Sequence, residues 1–228
     1  MPCGVKRPAD RTVSAPRLDE VSVMRGDGDG WSAGVNGQRH WGRFGAAGLL
    51  LRAPVAGGGS AVLLQHRAPW SHQGNTWALP GGARDSHETA VHAAVREAWE
   101  EAGIHAADVT VRAERITASA PSGWTYTTVI ADAVLTLPTK RNRESAALAW
   151  VPEDEVESRA LHPGFAVAWP LLRATPARIR LTEPVEPHSL AKALPRTVDL
   201  ADEGFFWLHD DPDGPGPELE LTGEQLLG

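Results

Sequence analysis

Apolar residues fall along the chain in short runs and in one helical stripe. The run from Gly45 to Leu51, with AAGLLL inside it, is continuously apolar, and Ala61-Val62-Leu63-Leu64 resembles it. Between them, Ala56-Gly57-Gly58-Gly59-Ser60 has the composition of a loop. Two short apolar runs around a Gly-rich connection predict two buried strands. From about Thr89 to Ala102 the period changes: Val91, Ala94, Val95 and Ala98 take the i, i+3, i+4, i+7 places of one helix face. Thr89 can cap this helix, and Gly103 stands where a left-handed residue ends one. Val109–Ala118, Thr125–Leu137 and Ala147–Val151 predict further strands. A helix is expected to start within Pro152–Val156, and a last one to cover Pro163 to Arg173. Pro69 to Pro80 reads as a loop, with Trp70 and Trp77 as packing anchors. Strand, Gly-rich loop, helix and further strands together indicate the α/β class.

The ends of the chain read differently. Residues 1–20 are polar, without hydrophobic period, and predict a loosely attached arm. Residues 21–41 contain Asn36-Gly37 between Trp31 and Trp41, a strong hairpin signal. The central domain is placed at 42–174. From 175 to 228, Pro176, Pro184, Pro187 and Pro195 interrupt any pattern, and the end is acidic. This segment is expected to be an extension with one ordered patch at Phe205-Phe206-Trp207. That patch needs a surface to cover, either the domain's own core or a second copy, and a homodimer is the expectation.

Composition narrows the picture. The chain has 228 residues, 42% of them hydrophobic, enough for one ordinary domain with extensions and no disulfides. Its one cysteine, Cys3, can form neither an internal bridge nor a multi-cysteine zinc site, and fits a reducing cytoplasm. No stretch is long and apolar enough for a membrane span, and the first residues lack a signal peptide's apolar core. A formal net charge of −7 argues against nonspecific binding to a nucleic-acid backbone. It does not oppose binding a phosphate ester, since a bound metal reverses the local field.

The informative stretch is Gly82 to Ile104, GARDSHETAVHAAVREAWEEAGI. Glu97, Glu100 and Glu101 are three and four residues apart and so share one helix face. Like charges at that spacing repel, and a divalent cation relieves the cost. Oxygen ligands without His or Cys suit Mg²⁺, with Mn²⁺ able to substitute, and Mg²⁺ takes phosphate oxygens as further ligands. Arg96 can hold carboxylates by paired hydrogen bonds and orient them. A Glu-rich helix alone is usually just a solvated face. Here Gly81-Gly82, Glu88, Arg96 and Gly103 accompany the carboxylates.

With Glu88, Arg96-Glu97, Glu100-Glu101 and Gly103 at these spacings, the stretch resembles the Nudix box at every defined position. The resemblance covers roughly Gly42 to Leu172 and implies a Nudix α/β/α sandwich with a mixed central sheet. It also implies an Mg²⁺-dependent hydrolase that cleaves a diphosphate linkage in a nucleoside diphosphate derivative. Metal ligands would be Glu97, Glu100, Glu101 and the carbonyl of Gly81. The general base would be Glu100, Glu101 or Glu144. As in MutT-type members, Arg67 would contact substrate phosphate, and His72 would line the substrate; taken alone they are a strand-end arginine and a loop histidine. Tyr126 and Trp124 are candidates for stacking on a base, though strand aromatics are usually core. One departure is Asp85-Ser86-His87 before Glu88, where many members have a Pro-Gly turn. The spacing of Arg67, His72 and Glu144 favours a (d)NTP pyrophosphohydrolase. Pro121 fits loosely with an ADP-ribose or nucleotide-sugar pyrophosphatase, and a non-catalytic ligand sensor is a third reading.

Overall fold

The computed structural model describes residues 26–34, 37–209 and 211–227. The arm at 1–20, Cys3 and Asn36 of the expected turn lie outside them. In chain order the elements are β1 (Trp31–Ala33), β2 (Arg39–Trp41), β3 (Ala46–Pro54), β4 (Ser60–Arg67), β5 (Trp77–Ala78), β6 (Gly81–Ala83) and α1 (Ala90–Ala102). There follow β7 (Thr110–Ser119), β8 (Thr125–Asp132), β9 (Ser145–Pro152), α2 (Pro163–Leu172) and β10 (Ala174–Leu181). The chain continues with α3 (Pro187–Ala193), β11 (Arg196–Asp199), β12 (Phe205–Leu208), β13 (Glu218–Leu221) and α4 (Gly223–Leu227).

The two apolar runs do become strands, and they lie at the centre of a seven-stranded mixed sheet. The order is β5-β4-β3-β8-β7, with β6 continuing against β3 and β9 against β4. β3 runs parallel to β8 and antiparallel to β4. A run that is apolar at every position is what a strand covered on both faces requires. Its alternate side chains serve two different cores. Ala47, Leu49, Leu51 and Ala53 of β3, Leu63 of β4, and Val129 and Ala131 of β8 meet Ala93, Ala94, Ala98 and Ala102 of α1. Leu50, Val62, Leu64 and Ile130 face the opposite way, toward Phe165, Ala168, Trp169 and Leu172 of α2. The sheet is therefore the middle layer of the expected α/β/α sandwich. The small side chains of α1 let the helix lie close to the sheet, which fixes the height of its carboxylates above β6.

Three local expectations change. Trp70 is no anchor: it is 69% exposed. The helix expected from Pro152 is a short 3₁₀ segment, Glu153–Ser158. Its Glu153 is turned inward, accepting from Arg52 Nε at 2.6 Å, Ser60 Oγ at 2.7 Å and the Ala174 N–H at 2.7 Å. The strand expected to reach Leu137 stops at Asp132, and Val134 and Leu135 beyond it face solvent.

The larger difference lies at the C-terminus. Residues beyond 174 form a four-stranded sheet in the order β11-β12-β10-β13, in which β10 is parallel to both its neighbours. Phe205 and Trp207 enter the core beneath α2, while Phe206 and Leu208 of the same strand enter a third core with Val198, Leu221 and Leu226. The apolar patch thus covers this chain's own core and gives no reason for a second copy. Asp132, buried at the end of β8, accepts from the Thr197 N–H at 2.7 Å, Thr197 Oγ1 at 2.6 Å and Arg112 Nε at 2.7 Å, and so joins the two sheets. Arg115 pairs with Asp199 across the same seam.

At the other end, β1 and β2 form the expected hairpin. Its base is tied to the loop before α1: the Gly28 N–H donates to Asp85 Oδ1 at 2.8 Å, and Ser86 donates to Asp27 through its N–H at 2.9 Å and its hydroxyl at 2.6 Å. The departure at Asp85-Ser86 thus serves to fasten the hairpin.

Candidate active site

Gly103, at φ 72°, ends α1 in the left-handed conformation, and Thr89 Oγ1 accepts the His92 N–H at its start. Between these caps, one face of the helix looks across β6 at the backbone of Gly81 and Gly82. Glu101 is buried, and its Oε2 accepts the Gly81 N–H at 2.8 Å. A Cβ on Gly82 would lie 2.4 Å from Glu97 Oε1, so only glycine leaves that carboxylate its place.

Arg96 organises the acids. Its Nε and Nη2 grip the two oxygens of Glu88 at 2.8 and 2.9 Å. Its Nη1 reaches Glu97 at 2.8 Å, with Glu100 at 3.6 Å. Nη2 also donates to the carbonyl of Ala83 at 2.9 Å. With its guanidinium occupied by protein groups, Arg96 acts as a positioning residue. Burial raises the Glu88 carboxyl, but the hydrogen bonds from Arg96 and the Asp85 N–H outweigh it and hold it below the usual range.

The charge balance in this pocket is lopsided. Burial first, and then the charge of Glu101, push Glu97 up to about 8 against the pull of Arg96. Burial pushes Glu101 up to about 7, opposed by hydrogen bonds from Gln65 and the Gly81 N–H and reinforced by the charge of Glu144. Two neighbouring carboxyls that burial and nearby acidic charge keep from ionising form a site that a divalent cation would settle. The donors are all oxygens, which suits a hard cation. Glu100 is 49% exposed at the edge of this cluster, open to a ligand from solvent.

Tyr126 sits on the floor. Its hydroxyl occupies the space a Cβ on Gly48 would need, at 2.1 Å, and lies 3.0 Å from that of Gly81. Burial, and then the charge of Glu101, raise its phenol above the usual range. The expectation that it stacks on a base therefore meets a side chain whose polar end stands on the carboxylate side of the site.

Arg67, His72 and Glu144 come together on the opposite rim. The β4–β9 register shifts between His66 and Arg67, and this irregularity turns the strand end into the loop that follows. Arg67 Nε donates to the carbonyl of His72 at 3.1 Å, and the Ala68 N–H to that of Glu144 at 2.8 Å. Glu144, with Trp70 and Arg143, lines an open cleft of about 670 Å³. Trp124 is engaged elsewhere: it stacks on His40 at 4.6 Å, and its Nε1 donates to the carbonyl of Trp41 at 3.0 Å.

The sequence reading missed Gln65 and Ser145. Both are buried: Gln65 donates to Ser145 Oγ at 2.9 Å, and that hydroxyl meets the carbonyl of Glu101 at 3.2 Å. They join β4 and β9 to the end of the carboxylate helix. A polar residue in an apolar strand was the available signal. His162 was also missed, and its ring lies 6.5 Å from that of His72.

Comparisons with known proteins agree with this geometry. The NUDIX domain family matches residues 44–174. A Mycobacterium tuberculosis protein with the provisional name 8-oxo-dGTP diphosphatase 3 is 55% identical over 188 residues, 81% of this chain and 85% of that one. That alignment is longer than the family match, so the relatedness extends into the flanking elements. A nucleoside triphosphate pyrophosphatase/Nudix hydrolase fusion protein of Bifidobacterium longum is 39% identical over 162 residues, 69% of this chain and 33% of that one. The crystal structure of a Nudix hydrolase from M. smegmatis, RenU, superposes with a TM-score of 0.60 at 64% identity, covering 63% of this chain and 91% of that one. By family match, relatives and fold, the chain belongs to the Nudix family and is a hydrolase of phosphorus-containing anhydrides, a family that generally works with a divalent metal.

Proposed function

We propose that this enzyme is an Mg²⁺-dependent pyrophosphohydrolase of (d)NTPs, of MutT type, and that oxidised purine nucleotides such as 8-oxo-dGTP are its substrate class. The observation that carries the chemistry is the half-buried Glu97 and buried Glu101 beside Gly81-Gly82, with Glu97 held by Arg96, which Glu88 grips in turn. The substrate class is supported by the name of the relative at 55% identity.

Glu97, Glu100 and Glu101, with the carbonyl of Gly81, would hold Mg²⁺. When bound, the cation neutralises phosphate charge and makes an attacking water more acidic. Arg96 and Glu88 keep the carboxylates aimed at it. Arg67, on the far rim, would take a phosphate oxygen, and His72 shares its loop. Water attacks phosphorus, the P–O bridge breaks, and the leaving phosphate carries away the bridging oxygen; positioning and charge neutralisation supply most of the acceleration. The proton from the attacking water goes to a carboxylate, with Glu100, Glu101 and Glu144 as the candidates. Among the described residues no helix is long and apolar enough to cross a membrane. We place the enzyme in the cytoplasm, consistent with its one cysteine.

The test is product release with Mg²⁺ over (d)NTPs, oxidised purine nucleotides, ADP-ribose and nucleotide sugars. Release of pyrophosphate from a triphosphate is expected, and AMP from ADP-ribose would select the nucleotide-sugar reading instead. Glu101→Gln and Glu100→Gln should each lower turnover by at least about 100-fold. If both variants kept near-normal turnover, the assignment of these carboxylates would be wrong.

A further inference from the structure

We infer that the β1–β2 hairpin, which lies before the matched family region, forms the nucleobase side of the substrate site, with Trp31 as its stacking surface. The inference rests on the proposed nucleotide reading and names the part of the substrate that this element holds.

The hairpin is short, yet each strand carries a tryptophan, and the two occupy paired positions. Trp31 and Trp41 meet edge to face, with ring centres 5.4 Å apart and planes at 78°. That geometry leaves part of each ring in solvent, and both residues are 42% exposed. Trp31 also meets His72, with centres 5.6 Å apart and planes at 74°. His72 gives its carbonyl to Arg67, whose charge faces Glu101. Contacts therefore run from Arg67, whose charge acts on Glu101, through the loop of His72 to a partly exposed indole. A nucleotide has the same order: anhydride, sugar, base.

The surroundings favour a flat, π-rich occupant. The guanidinium of Arg39 lies 5.6 Å from the centre of the Trp31 ring, and both residues are exposed. An indole and a guanidinium are both side-chain surfaces that take a base by stacking. The platform is held without help from the ligand. Gly28 and Asp27 bind Asp85 and Ser86, the Arg43 N–H donates to the carbonyl of Gly28 at 2.9 Å, and Trp124 holds the Trp41 carbonyl. Removing the Trp31 ring should therefore leave the hairpin in place.

The test is equilibrium binding by the full chain in Mg²⁺, comparing a methylene-bridged dGTP analogue with inorganic tripolyphosphate. The wild type should bind the analogue more tightly. Trp31→Ala should weaken the analogue by about 5- to 100-fold, the range for losing one base–aromatic stack, and leave tripolyphosphate unchanged. Trp31→Phe should keep most of the affinity, and the melting temperature of both variants should stay near that of the wild type. Equal weakening of both ligands would show a merely structural tryptophan and overturn the inference. So would unchanged binding of the analogue, or a wild type without preference for it. Turnover of triphosphates is a separate readout: base-dependent binding without turnover would sink the proposed reaction and leave the stacking surface standing.

Discussion

Gly82 and Arg96 show how much of this site rests on single atoms. A methyl group on Gly82 would fall 2.4 Å from Glu97 Oε1, so the carboxylate must move and the helix need not. Gly82→Ala is expected to reduce Mg²⁺ affinity with a melting temperature close to wild type, which calorimetric titration and thermal unfolding would show together. Arg96 is gripped by Glu88 through two nitrogens, and a lysine cannot reproduce that fork. Arg96→Lys should cost about 10- to 100-fold in metal affinity. Glu88→Gln should act on the same clamp, so the double variant should lose less than the sum of the two, a coupling that a double-mutant cycle would detect. This clamp was legible in the sequence because its members lie on one turn and one helix, at spacings fixed by local geometry. Gln65 and Ser145 were not legible. Their partnership depends on the β4–β9 register across 80 positions of chain.

The helices α1 and α2 declared themselves by their ends, and α2 adds a chemical switch. His162 caps it, with Nδ1 accepting the Gly164 N–H at 3.1 Å, a role only an unprotonated nitrogen can fill. Burial first, then the charges of Arg67 and His72, push this imidazole down to about 4. The unfolded chain therefore binds a proton here more readily than the native one between about pH 6.5 and 4. The stability attached to the neutral cap is complete above about pH 6.5 and is lost as pH falls toward 4. Asparagine caps without titrating, so His162→Asn should match the wild type in urea at pH 7 and gain on it at pH 5. An unchanged difference between the two pH values would refute this. Strand ends were harder to read than helix ends. Trp70 was expected to anchor a loop because it is large and apolar, but nothing local says whether a core lies within reach. Pro176 was read as an interruption, yet it lies inside β10. Over residues 174–177 that strand pairs with β12 and only later with β13; its other side there faces Gly216 and not a strand, so a missing N–H breaks no ladder.

In the whole molecule, the two sheets meet through a buried charge. Asp132→Ala would strand the Thr197 N–H and the Arg112 guanidinium at the seam, and is expected to cost about 3–5 kcal/mol in urea unfolding. Asp132→Asn, which can still accept one of these bonds, should cost less. The α/β class and the order of layers could be read from the apolar runs, because burial on both faces leaves a mark in every residue of a strand. The C-terminal sheet could not, because its strands are four to eight residues long and β10 pairs with β12 and β13 across long intervening segments.

The seating of Phe205 and Trp207 beneath α2 also has a consequence in time. During synthesis, the helix that bears Glu97, Glu100 and Glu101 can dock on its face of the sheet as soon as the strands through β9 have emerged. The opposite face stays open until residue 208 has left the ribosome, some thirty residues after the family's own boundary has been passed. A fragment cut at 174 would be a finished active-site layer on an unfinished core. It should be captured by chaperones or aggregate, while the full chain, made at the same rate, remains in solution.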